Sequence, residues 1–151
     1  TYVGQNLGAK KYRRIRNGVR SGVYMALITS IVISGVMVIT GRNILSLFVS
    51  GEAGQVKQVL DIAYKYLFIM AIFLWVLYLL YVYRSAIQGL GNTLIPLASG
   101  VVEFCMRVGV ALLLPKLIGE DGIFYAEISA WSGAAMLLIV SYVVIIRKYK
   151  E

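Results

Sequence analysis

Polar and apolar positions divide this chain into mixed segments and long runs that are almost wholly apolar. The runs cover residues 21–41, 62–83, 93–114 and 122–146. Each has the length, about 18 to 25 residues, that an α-helix rising about 1.5 Å per residue needs to cross a hydrocarbon layer. The pattern predicts an all-α membrane protein with four transmembrane helices, preceded by a basic segment over residues 1–20. Between the first two runs, residues 41 to 61 are amphipathic, which predicts a short helix lying in the interface.

Within the runs a second pattern follows the helical repeat. Gly18, Gly22, Ala26, Ser30 and Ser34 recur every fourth residue on the first span, and Ala126, Ala130 and Ala134 do so on the last, beside Ser129 and Gly133. Lipid offers helices no hydrophobic drive to associate, so close van der Waals contact across small residues is the means left to them. Both bands are therefore expected to be contact surfaces. On the second span Tyr64, Phe68, Ala71, Trp75, Tyr78 and Val82 share one stripe. Ordinary packing and interfacial aromatic belts explain such a stripe; the alternative is a wall lining a substrate cavity, with Tyr64, Phe68, Ala71, Trp75 and Tyr78 as its candidates. Gly89 and Gly91 should end that helix, with Asn92 or Thr93 capping the next and Pro96 in its first turn.

Composition supports the membrane reading. Of the 151 residues 60% are hydrophobic, and the mean hydropathy is +0.79, well outside the makeup of an ordinary soluble domain. The net charge of +8 and the stretch KKYRRIR would otherwise suggest nucleic acid. A basic cluster just before a span instead obeys the positive-inside rule and meets anionic head groups, so no nucleic-acid partner is expected. Lys10, Lys11, Arg13, Arg14, Arg16 and Arg20 precede the first span, Arg84 falls between the second and third, and Arg147, Lys148 and Lys150 end the chain. The other side holds Arg42, Lys57, Lys65 and Lys116, offset by Glu52, Asp61, Glu120 and Asp121. This bias predicts that both ends are cytoplasmic. The single Cys105 is expected to be a buried packing residue. With no His, no paired Asp and no clustered metal ligands, the chain offers neither metal activation nor a His-assisted nucleophile; it reads as no enzyme.

Glu103 and Arg107 stand out because they interrupt the third span. Side chains four apart meet on one helix face, here with Pro96, Ser99, Gly100 and Ala111. Ionisable groups inside a membrane are costly and are usually paired and turned toward protein or water. They are expected to form a buried ion pair that locks the helix to its neighbours; the sharper reading makes Glu103 a proton-titrating or gating group. A nearby cation favours the charged form of a carboxylate, so the structural reading comes first. Glu127, one turn inside its span, is expected to snorkel or bind a helix end.

Three stretches in order, GQNLGAKKYRRI before the first span, RSAIQGLGNTLIPLASG between the second and third, and SGVVEFCMR leading to GIFYAEISAW, resemble the second half of multidrug and toxic compound extrusion (MATE) transporters. The resemblance covers essentially the whole chain. It implies a twelve-helix antiporter of two six-helix lobes, with this chain as the last four helices of the C-terminal lobe. It further implies export of drugs or of small amphipathic or cationic compounds in exchange for protons or sodium ions, by alternating access, with no cofactor beyond the coupling ion. The implied partners are the lipid bilayer, the missing N-terminal lobe and the preceding helices of the same chain; the implied location is the cell (plasma) membrane. Tyr66 to Tyr83 contains no Asp or Glu, so the acid that some sodium-coupled members carry in the tenth helix has no counterpart. The chain opens without Met or a signal peptide and is expected to be a piece of a longer polypeptide. The alternatives are a related flippase or exporter of lipid-linked saccharides, which would need a strongly cationic cavity, and a self-contained four-span structural protein.

Overall fold

In the computed structural model the chain is described over residues 1–51 and 53–149; Glu52 and Lys150, two of the charges counted above, lie outside that range. Five α-helices follow one another: α1 (Tyr2–Gly8), α2 (Tyr12–Ser46), α3 (Ala53–Gly89), α4 (Leu94–Ile118) and α5 (Tyr125–Lys148), with a 3-10 turn over Glu120–Phe124 before the last. Four helices are long and apolar enough to cross a membrane. A helix is the natural state of each run, because in hydrocarbon every backbone N–H and C=O must find its partner within the segment.

Helices α2 and α3 overrun their apolar stretches. At 35 and 37 residues they are longer than the ~30 Å hydrocarbon layer requires at about 1.5 Å per residue. Two expectations are corrected by this. The basic segment is not separate from the first span, since α2 begins at Tyr12 and carries Arg13, Arg14, Arg16 and Arg20 on its opening turns. No separate interfacial helix forms among the described residues of the loop; Arg42–Ser46 finish α2 and the segment after Ala53 opens α3. Nothing in either segment breaks a helix, since Lys, Arg, Gln and Leu continue one readily. Gly41 does not end α2 either. There the missing side chain admits Leu67 of α3, whose Cδ2 would lie 2.9 Å from an added Cβ.

The turns follow their chemistry. Between α3 and α4, Gly91 adopts φ +83°, a conformation other residues rarely hold. Asn92 Oδ1 then accepts the Ile95 N–H at 3.0 Å, capping α4, and Pro96 sits in the first turn. Between α4 and α5, Gly122 rests against the backbone of Leu114 and Pro115, 2.7 Å from where a Cβ would be.

Hairpins α2–α3 and α4–α5 are the two closely packed pairs, joined chiefly where α3 lies on α5; α3 and α4 touch only lightly. The core gathers Ile15, Leu80, Ile87, Ala134 and Leu138, all fully buried. Both small-residue bands are contact surfaces, as expected. On α2, Ala26 and Ser30 are buried, and Ser34 Oγ donates to the Ala71 carbonyl of α3 at 2.6 Å. On α5, Ala126, Ala130 and Ala134 are buried, and Gly133 faces Val102 and Met106 of α4. Outward, α4 presents Val101, Phe104, Val108 and Leu112, all exposed and suited to hydrocarbon. Cys105 is exposed too, against expectation, because the face of α4 that carries Ser99, Glu103 and Arg107 is the one turned to protein.

One end of the bundle gathers most of the basic residues. Val3 of α1 lies on Gly89 at the end of α3, and Tyr12 at the start of α2 lies 5.1 Å, ring to ring, from Tyr149 after α5. Arg16 does not face solvent alone. Its Nη2 donates to the Tyr149 carbonyl at 2.7 Å, satisfying the exposed end of α5, where a cation is also favoured by the helix dipole.

Candidate functional site

The costliest side chains in a membrane are the charged ones, so their partners locate the site. Glu103 and Arg107 do not pair with each other. Arg84 of α3 donates through Nη2 to Glu103 Oε2 and to Ser99 Oγ, both at 3.1 Å. Ser99, fully buried, donates its own hydroxyl to the Pro96 carbonyl at 2.7 Å. One turn along α4, Arg107 Nη2 donates to Glu127 Oε2 of α5 at 2.9 Å. The side chains of Arg84 and Glu103 are 21% and 18% exposed, those of Arg107 and Glu127 44% and 31%. The inner pair is thus the better shielded.

The expected pair within α4 is replaced for an energetic reason. An i,i+4 pair on one helix contributes about 0.2 to 0.5 kcal/mol. Leaving Arg84 without a counter-charge in low dielectric would cost about 3 to 5 kcal/mol, and leaving the more exposed Glu127 without one about 1 kcal/mol. Cross-helix pairing gives each of the four groups a counter-charge. Arg84 and Glu127 are the residues that sequence reasoning placed wrongly. Arg84 was expected in a loop but sits on α3, a little over a turn before its end, and Glu127 reaches neither interface nor helix end but Arg107. A signal was present in Arg84, Glu103, Arg107 and Glu127, which lie within or beside the apolar runs and alternate in sign.

The result is a ladder of charge on one face of α4, with rungs to α3 and α5. At the lightly packed α3–α4 seam the rung Arg84–Glu103 is the main polar tie. The Nε atoms of Arg84 and Arg107 are buried with no partner, so each guanidinium keeps an unused donor beside its carboxylate. Among the described residues, no group of three or more His, Cys, Asp or Glu comes together to hold a metal ion.

The aromatic stripe of α3 lies along α2. Tyr64 Oη donates to the Val38 carbonyl at 2.8 Å, Ala71 is buried against Ser34, and Tyr78 is half-buried. Phe68 and Trp75 stand 42% and 45% exposed. The stripe meets the largest cavity described for the bundle only at Val82.

Residues 1–113 match the MatE family model, a span that includes Arg84, Glu103 and Arg107 and stops short of Glu127. No curated protein and no solved structure matches the chain. With three quarters of its residues matched, a wholly helical architecture and four helices fit to span a bilayer, the chain belongs to the MatE family of membrane transporters.

Proposed function

We propose that the chain forms the last four helices of a twelve-helix secondary antiporter, exporting drugs or organic cations in exchange for protons or sodium ions by alternating access. The observation that carries this reading is the α3–α4 seam, lightly packed and bridged by Arg84–Glu103 in a chain of this family. Alternating access needs helices that separate and rejoin between discrete states. A seam tied by one polar rung has that property, whereas a seam of interlocked small residues does not. The rung is the structural lock of the seam, and Phe68 and Trp75 offer cations the faces of exposed aromatic rings. The basic end faces the cytoplasm of the cell that carries the protein in its plasma membrane, in keeping with the positive-inside bias.

The test is efflux of a cationic dye from cells expressing the complete transporter, with the proton and sodium gradients collapsed separately. Loss of efflux on collapsing one gradient is expected, and efflux indifferent to both would overturn the antiport reading. The double variant Arg84→Met/Glu103→Gln separates lock from coupling site. Normal abundance with residual efflux supports the lock, while normal abundance with no efflux makes Glu103 the coupling residue. In a Cys105→Ser background, an impermeant thiol reagent added outside should modify Glu120→Cys and spare Asn92→Cys; the reverse would invert the topology.

A further inference from the structure

At the basic end, α1, α2 and α3 enclose an open groove of about 730 Å³. Its floor is apolar, made by Gly22, Val82 and Ala86 with the Tyr2 ring over Gly18, and its rim carries the polar groups of Asn17, Ser21 and Ser85. It extends along α2 from Asn17 to Met25, about 12 Å at the rise of a helix, from the basic turns into the apolar run. Arg14 lies one turn before Gly18 on the same face, exposed, and its carbonyl accepts the Tyr2 hydroxyl.

We propose that this groove holds one acyl chain of an anionic phospholipid, with Arg14 meeting the head group. Three observations select that occupant. The polarity runs lengthwise, from apolar lining at Met25 to polar lining at Asn17, with the exposed Arg14 one turn beyond, an order that complements a lipid with a negative head; basic residues beside spans at a membrane surface bind such heads. The groove opens beside Met25 and Tyr81, 63% and 57% exposed, so a chain can enter sideways from the bilayer. A packing helix would need the notch at Gly18, yet the Tyr2 ring already fills it, 2.2 Å from where a Cβ would stand. What remains suits a thin flexible chain. The site is independent of the antiport reading, since a lipid can seat there whatever the transporter exports.

The experiment measures lipid retained by the complete transporter, by native mass spectrometry after purification from nanodiscs of phosphatidylcholine and phosphatidylglycerol. The wild type should retain one phosphatidylglycerol in preference to phosphatidylcholine. Arg14→Gln should lower that preference about fivefold, the share of one cation near an anionic surface, while lipid still binds. Ser85→Phe, which fills the groove from an exposed position, should release the lipid altogether. Should that variant fail to reach the membrane, Ser85→Cys in a Cys105→Ser background, alkylated with a bulky maleimide after purification, adds the bulk to a folded protein. Equal retention of the two lipids by the wild type overturns the proposal, as does retention unaffected by filling the groove. A cross-link from Ser85→Cys to another protein segment would show a helix there instead, and overturns it as well.

Discussion

Between α2 and α3 the contact is made by glycine, alanine and serine along most of the helices' length; between α3 and α4 it is made by little more than a guanidinium. The first seam brings backbones close, with Gly41 admitting Leu67 and Ser34 donating to the Ala71 carbonyl. Its energy is spread over many weak contacts, each lost only if the helices part over their whole length. The second concentrates its energy in Arg84, Ser99 and Glu103, which a single displacement breaks together. A distributed seam behaves as a rigid body and a concentrated one as a latch. Helices α3 and α4 are accordingly the pair expected to separate, while the buried α3–α5 contact keeps the two hairpins together.

The comparison can be broken most decisively at the latch. Arg84→Met leaves Glu103 without its partner in a poorly solvated position, so a loss of about 3 to 5 kcal/mol is expected, read as a lower melting temperature in detergent and lower membrane abundance. Adding Glu103→Gln should recover much of it. A double variant no better than the single would show that the rung contributes packing rather than charge balance. The distributed seams should respond less to one change. Ala130→Leu, at a fully buried position on α5, is expected to cost about 1 to 3 kcal/mol by forcing helices apart, against less than about 0.5 kcal/mol for Leu112→Ile on the exposed face of α4. Equal effects at the two sites would deny that the small bands are packed.

The outer rung sharpens the comparison. Arg107 and Glu127 are more exposed than Arg84 and Glu103, so Glu127→Gln should cost only about 1 kcal/mol in the same melting assay. A cost as large as that of Arg84→Met would put both rungs in the same low-dielectric environment. Smallest of all should be Arg42→Gln at the opposite end, where the pair with Asp61 is half exposed on both sides. A change within about 0.5 kcal/mol, shrinking further in salt, is expected there.

How much of this was legible depends on the range of the interaction. The four spans, the Gly91–Asn92 turn with its Asn92 cap and both small-residue bands are local or periodic, and they were read correctly from residue spacing. Helix ends were read too short. The runs were delimited by where apolarity stops, while Arg13 to Arg20 continue a helix as well as leucine does. The partners of Glu103 were not legible from spacing on α4 alone, because they depend on how two antiparallel helices are offset. In retrospect the offset is simple, since Arg84 and Ser99 stand equally far on either side of the turn at Gly91 and Asn92. Cys105 was misplaced for the same reason, as the face turned to protein is set by Arg84 and Glu127.

The bond from Arg16 to the Tyr149 carbonyl joins residues 133 apart in the chain, with all four spans between its two halves. Until α5 is in place, the exposed Arg16 guanidinium has water as its partner. The bond can close only on a bundle in which every intervening helix has already been inserted with the right polarity; an odd number of spans between them would leave the two groups on opposite faces of the membrane. The bond therefore forms only where the number of crossings between Arg16 and Tyr149 is even.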